Sequence, residues 1–129
     1  MIKKAYAEIP GMLMDKPGFQ GMTARFALTR DDGMPNYALR IMEFAPGGHT
    51  SLHAHAEEHE FYFIEGEPAI VDGTGKETRL ASGDVAYVAP HEVHQIRNVG
   101  TGVMRMVCTI PILEGGDGKA TTQQSGGAY

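Results

Sequence analysis

The sequence predicts an all-β domain, on three observations. Gly and Pro recur every few residues, 17 and 7 of them in 129. The segments between them are short and rich in Val, Ile, Phe, Tyr and Met, and no apolar pattern keeps a helical period for ten residues or more. Strands are predicted at Met22–Thr29, Tyr37–Phe44, Glu60–Glu65, Glu67–Asp72, Glu77–Leu80, Asp84–Val88, His94–Asn98 and Val103–Ile110.

Taken in order, the segment Pro10 to Lys16 reads as a short turn ahead of the first strand. Arg30-Asp31-Asp32-Gly33 then separates the first two strands, and Asp72-Gly73-Thr74-Gly75 and Ser82-Gly83-Asp84 bracket the short strand between them. These residues accept tight-turn or left-handed dihedrals, so the strands are joined by hairpins and run antiparallel. About eight short strands without helices to cover them bury their apolar faces most economically as two sheets folded into a single-domain jelly-roll β-barrel. The barrel is expected over residues 1–113, with a flexible Gly-, Ser-, Thr- and Gln-rich tail over 114–129.

Hydrophobic residues at 42% and charged residues at 21% exclude disordered and collagen-like classes. The net charge of −5, with acids and bases interleaved, offers no footprint for nucleic acid or an anionic membrane. Cys108 is the single cysteine, there is no Asn-x-Ser/Thr acceptor, and residues 1–21 lack an apolar run of signal-peptide length. A cytoplasmic location is expected.

Chemistry concentrates in the histidines. All six lie between His49 and His94. His53 and His55 are two apart, which on an extended chain places both imidazoles on one face about 6–7 Å apart along the backbone. His59 enters the next apolar strand, where period two carries His59, Phe61 and Phe63 on one face. His94 lies far away in sequence, brought back by the barrel as a distant fourth ligand. Four imidazoles suit Mn, Fe, Co, Ni, Cu or Zn rather than Ca or Mg, and leave the ion its full charge.

Gly47 to Gly66, with His53-Ala54-His55, His59 and the closing Gly66, resembles the first motif of the cupin family. Gly83-Asp84 through Pro90, His94 and Asn98 resembles its second motif, with Ala89 at the usual proline position and Pro90 beside it, and His91 where glycine is usual. Glutamate is the usual third ligand in cupins; here the spacing puts His59 there and Glu60 one position late. This makes the chain similar to the small tetrahistidine monocupins, and the resemblance implies manganese first, with Fe, Ni, Zn or Cu as alternatives. It also implies that Met106, Cys108 and Ile110 face the pocket beside Phe61 and Phe63, that the protein is a homodimer, and that Met12 and Met14 pack across a partner subunit.

Other residues carry two readings. His49 and His91 are turn or rim residues, or an acid or base at the pocket mouth. Glu60 alternates away from His59 and points outward. Arg40 is either an ion-paired surface residue or an anchor for an anionic substrate, and Cys108 either a small core hydrophobe or an oxidisable group in the pocket. The first functional expectation is a metal-dependent oxidoreductase of dioxygenase type acting on a small molecule. The alternatives are a non-oxidative isomerase, lyase or decarboxylase for a small sugar acid or oxo-acid, and a module that binds a small ligand without turning it over.

Overall fold

The computed structural model describes residues 1–116. Most of the expected tail therefore lies outside the described residues. The strands, in chain order, are β1 (Met12–Leu13), β2 (Gln20–Leu28), β3 (Tyr37–His49), β4 (His59–Glu65), β5 (Pro68–Asp72), β6 (Glu77–Arg79), β7 (Val85–Val88), β8 (His94–Asn98) and β9 (Met104–Pro111). Two single turns of 3-10 helix, Tyr6–Glu8 and Arg30–Asp32, are the helical elements among the described residues. The all-β expectation holds.

The strands form one curled sheet in the order β6-β5-β8-β3-β9-β4-β7, with β2 and then β1 paired outward from β3. Every named pairing is antiparallel. β3 is the hub. Along its length it pairs with β2 and β9, and at its last residue, His49, with Arg97 of β8. Three partners for one strand is what curls the sheet upon itself.

The curl depends on Gly48. A Cβ there would come within 2.8 Å of Gly21 O and 2.9 Å of Ala45 O, so only glycine lets β2 and β3 cross so closely. Here the ladder skips from Gln20↔His49 to Met22↔Phe44, a bulge that bends both strands. The sequence expectation ended this strand at Phe44, because Ala45-Pro46-Gly47-Gly48 has the composition of a turn; the chain instead continues through it as bent β structure. The segment Pro10 to Lys16, expected as a turn, contains β1, whose Met12 and Leu13 are exposed and pair with Ala24 and Thr23.

Alternation then builds the interior. His59, Phe61 and Phe63 of β4 point inward while Glu60, Tyr62 and Ile64 point out. Met104, Met106, Cys108 and Ile110 of β9 do likewise, as do Ala38, Arg40, Met42 and Phe44 of β3. Phe44, Phe63, Met104 and Met106 are fully covered and fill one end of the inner face. At the other end the inward positions are polar: Arg40, His59 and His94.

The amino-terminal segment is held to the outer face by a charged clasp. Glu43 accepts from Arg25 Nε at 2.7 Å, from Arg105 Nε at 2.8 Å and from the Tyr6 hydroxyl. The Arg25 guanidinium lies 4.7 Å from the centre of the Tyr6 ring, and its Nη1 donates to Ile9 O at 2.6 Å. The segment so fastened runs on to Met14, Lys16 and Phe19 at the mouth of the interior cavity.

Candidate metal centre

Four histidines meet at the polar end of the interior. His53 and His94 are joined through their backbones, His53 N to His94 O at 3.0 Å and His94 N to His53 O at 2.9 Å. That reciprocal bridge places their rings 4.6 Å apart. His55 follows by the two-residue step of an extended chain, its ring 5.1 Å from that of His53. His59, at the start of β4, lies 4.5 Å from His55 and 5.0 Å from His94, ring centre to ring centre. All four are buried.

The outer nitrogens are tied down. Nδ1 of His53 donates to Ser51 O at 2.8 Å, that of His55 to Glu57 O at 2.7 Å, and that of His94 to Glu92 O at 2.8 Å. A carbonyl only accepts, so each of these Nδ1 atoms carries the proton and each Nε2 presents a lone pair to the interior. In each case the carbonyl belongs to a residue two positions away, so the ring is oriented by its own stretch of main chain. Donor atoms of His53, His55 and His94 lie within 4.8 Å of one another. Two nitrogens on one ion are separated by at most roughly 4.2 Å, twice a metal–imidazole bond, so three donor atoms this close together suit a shared ion.

The rings are kept neutral. Burial lowers the pKa of His53 to about 3, reinforced by repulsion from His94, and lowers that of His55 to about 4 by the same two causes in the same order. His59 is pushed well down by burial and then by the Arg40 charge, and His94 is lowered chiefly by burial. Neutral imidazoles with converging lone pairs are the protonation state a divalent transition metal needs, so the residues fit such an ion.

His59 differs from the other three. Its Nδ1 faces Cys108 Sγ at 3.1 Å, with Arg40 Nη2 3.4 Å from the same nitrogen and 3.0 Å from the sulfur. Its Nε2 lies 2.7 Å from His55 Nε2. Phe61 stacks on the imidazole at 5.0 Å and 24°.

A narrow cavity of about 40 Å³, open to solvent, adjoins the four imidazoles. Of the residues expected at a substrate pocket, Arg40 and Phe61 line it. Phe63, Met106 and Ile110 sit in the packed core on the same inner face, and Cys108 stands behind His59. Arg40 is 3% exposed, which removes its surface ion-pair reading. His91 is exposed in a turn with φ of 65°, and His49 is half-buried, its Nδ1 donating to Thr50 O at 2.9 Å. Glu60 points outward.

Sequence reasoning missed the opposite wall of this cavity, formed by Met22, Ala24 and Phe26 of β2 with the amino-terminal Met14 and Phe19. Its one signal was the period-two spacing of Met22, Ala24 and Phe26. Nothing in the order of residues 14–19 marks them as a rim.

Residues 40–110, more than half of the chain, match the family described as Cupin domain, and the chain belongs to that family. Within it, the oxalate-binding protein of Thermotoga maritima is 26% identical over 115 residues, 88% of this chain and 95% of that protein. The polyketide cyclase RemF from Streptomyces resistomycificus superposes with a TM-score of 0.79 at 25% identity, over 86% of this chain and 80% of its own. A cupin-superfamily sugar phosphate isomerase from Silicibacter pomeroyi shares the fold, with a TM-score of 0.76 at 18% identity over 97% and 94% of the two chains.

Proposed function

We propose that the chain is a metal-dependent enzyme acting on a small organic molecule by non-oxidative chemistry, as an isomerase, lyase or cyclase does. His53, His55 and His94 hold the ion through Nε2, and His59 joins as a fourth nitrogen ligand. The observation that carries this reading is the set of three carbonyl-anchored imidazoles aimed into a cavity. When bound, a divalent transition metal supplies Lewis acidity toward an oxygen of the substrate.

The chain's own groups do the rest. The main chain holds three rings in place before ligand arrives, so little ordering is needed at binding. Phe61 and the β2 wall exclude water and strengthen every electrostatic contact inside. The buried Arg40 guanidinium adds a fixed positive charge behind His59, favouring negative charge that develops on a substrate oxygen. Neutral imidazole ligands would leave a bound divalent ion its full positive charge and so its Lewis acidity toward an oxygen. The relatives named for oxalate binding, polyketide cyclisation and sugar phosphate isomerisation all handle oxygen-rich small molecules, in line with this reading.

An oxygen-dependent dioxygenase, with manganese or iron, is the second reading. The apolar cavity beside the imidazoles favours it, since dioxygen enters apolar space readily. Turnover of a panel of oxo-acids and enolisable ketones separates the two. Activity with zinc under argon is the expected result; activity confined to manganese or iron, with matching oxygen uptake, overturns it in favour of the dioxygenase. Elemental analysis of the purified protein decides whether manganese is the resident metal, and sedimentation decides whether the chain is a homodimer.

A further inference from the structure

We infer that the molecule taken at this site has an apolar, slender or flat body attached to the oxygens that face the imidazoles, and is not a compact all-oxygen dianion such as oxalate. This rests on the reading that the imidazoles hold a metal, and concerns the rest of the cavity.

The polar groups gather at one end. The four imidazoles and the Arg40 guanidinium occupy it, and Arg40 Nη2 is already engaged with Cys108 Sγ. The Thr50 hydroxyl, also in the lining, donates to Ser51 O at 2.9 Å and accepts from Ile96 N at 3.0 Å, so it is turned to the main chain. The rest of the lining is apolar. Phe26, paired with Arg40, and Phe19, its ring centre 6.0 Å from that of His53, flank the polar groups, Met22 of β2, Met42 of β3 and Ile96 of β8 continue the wall, and Met14 and the exposed Lys16 complete it.

A ligand reaching from the imidazoles toward the mouth therefore meets hydrocarbon and thioether. Oxalate carries oxygens at both ends. Chelated through one edge, it turns its outer two oxygens toward a lining that is mostly Met and Phe, where only the exposed and solvated Lys16 ammonium can donate, so most of their hydration is lost without replacement. An aryl or alkenyl body in the same place loses only unfavourable water contact and gains dispersion from the thioethers. Discrimination thus arises from the wall, by rejecting polar ends as well as by attracting apolar ones.

The test is calorimetric titration of the zinc-loaded protein with 2-hydroxyacetophenone and with potassium oxalate, zinc retention being checked by elemental analysis. Both probes chelate through two oxygens; only the first has an apolar ring, and oxalate is the stronger chelator of free zinc. The expected result is at least ten-fold tighter binding of the aryl ketone. Phe26→Ala weakens the aryl ketone at least five-fold and leaves oxalate within two-fold, whereas Met42→Gln weakens the aryl ketone at least five-fold and tightens oxalate by giving its outer oxygens a donor; both variants retain zinc. Tighter binding of oxalate, no binding of the aryl ketone, or aryl binding that neither variant weakens overturns the inference while the zinc site stands. Failure to take up zinc overturns the metal reading and this inference together.

Discussion

Cys108 occupies, behind His59, the place that a backbone carbonyl occupies behind each of the other three imidazoles: its Sγ lies 3.1 Å from His59 Nδ1. The difference is chemical. A carbonyl only accepts, whereas a thiol donates or accepts. Burial pushes the Cys108 thiol up, with Arg40 drawing it partly back, so it keeps its proton. His55 Nε2 carries a lone pair because its Nδ1–H is given to Glu57 O. The 2.7 Å contact between the two Nε2 atoms then makes His59 the donor in the metal-free chain, and His59 Nδ1 accepts from the thiol.

Were His59 to hold a metal through Nε2, that proton would move to Nδ1 and Sγ would become the acceptor. Cys108→Ser keeps both capacities and is expected to keep metal affinity within a few-fold. Cys108→Val keeps the bulk, removes both, and is expected to weaken affinity roughly 10- to 100-fold. Chelator competition measures the affinity. Long-range proton–nitrogen spectra of the imidazoles give a second readout, in which the two His59 nitrogens exchange character on zinc loading in the wild type. Equal affinity in Cys108→Val and the wild type removes any part for the sulfur.

Acid sensitivity follows from the lowered imidazole pKa values. In the unfolded chain histidine titrates near 6.5; folded, His53 titrates at about 3 and His55 at about 4. Between those values the unfolded chain binds more protons than the folded one, so stability falls as pH falls. The metal-free protein is expected to keep full stability above about pH 6.5 and to lose it progressively toward pH 4. Denaturant melts at half-unit pH steps check this. A stability curve flat from pH 7 to 4 contradicts the buried neutral imidazoles.

His94→Ala removes one donor and one side of the His53–His94 ring contact while the backbone bridge between them remains. It is expected to abolish stoichiometric metal binding yet leave a folded β protein by circular dichroism. Wild-type protein stripped by a chelator is expected to melt lower than metal-loaded protein. With free metal at a hundred times its dissociation constant the loss is about 2.7 kcal/mol. The variant should show no such difference with and without chelator.

Gly66→Ala tests the core end. Gly66 has φ of 92°, and a Cβ there would stand 2.6 Å from Met104 Cα and 2.7 Å from Val103 O, backbone that has nowhere to go. Destabilisation on the order of 3 kcal/mol is expected, from strain and clash together. Gly83→Ala, where φ is 93° and nothing stands within 4 Å, carries strain alone and should cost about 1 kcal/mol.

What was legible in the sequence was the part with one buried face. The period-two run of β4 places Phe61 and Phe63 inside without reference to anything distant, His53 and His55 share a face for the same reason, and the inward facing of Met106 and Cys108 followed from the family resemblance. What was not legible depends on partners far along the chain. The Ala45–Gly48 stretch reads as a turn, whereas its Gly48 serves a crossing with Gly21 that is visible only when β2 lies beside it. β1 has no apolar alternation, since both its residues are exposed and it exists through pairing with β2. Arg40 had two readings until its neighbours Cys108 and His59, 68 and 19 residues away, were in place.

The carbonyl anchoring of three imidazoles has an evolutionary consequence. Main chain does not mutate, so the grip on a metal persists in any descendant that keeps the strands and the histidines. The β2 wall and the Met14–Phe19 rim are side chains, open to replacement one at a time. On the proposed function, substrate choice would therefore drift quickly over a slowly changing floor of imidazoles, and new activities in such barrels should be sought by diversifying the rim rather than the centre.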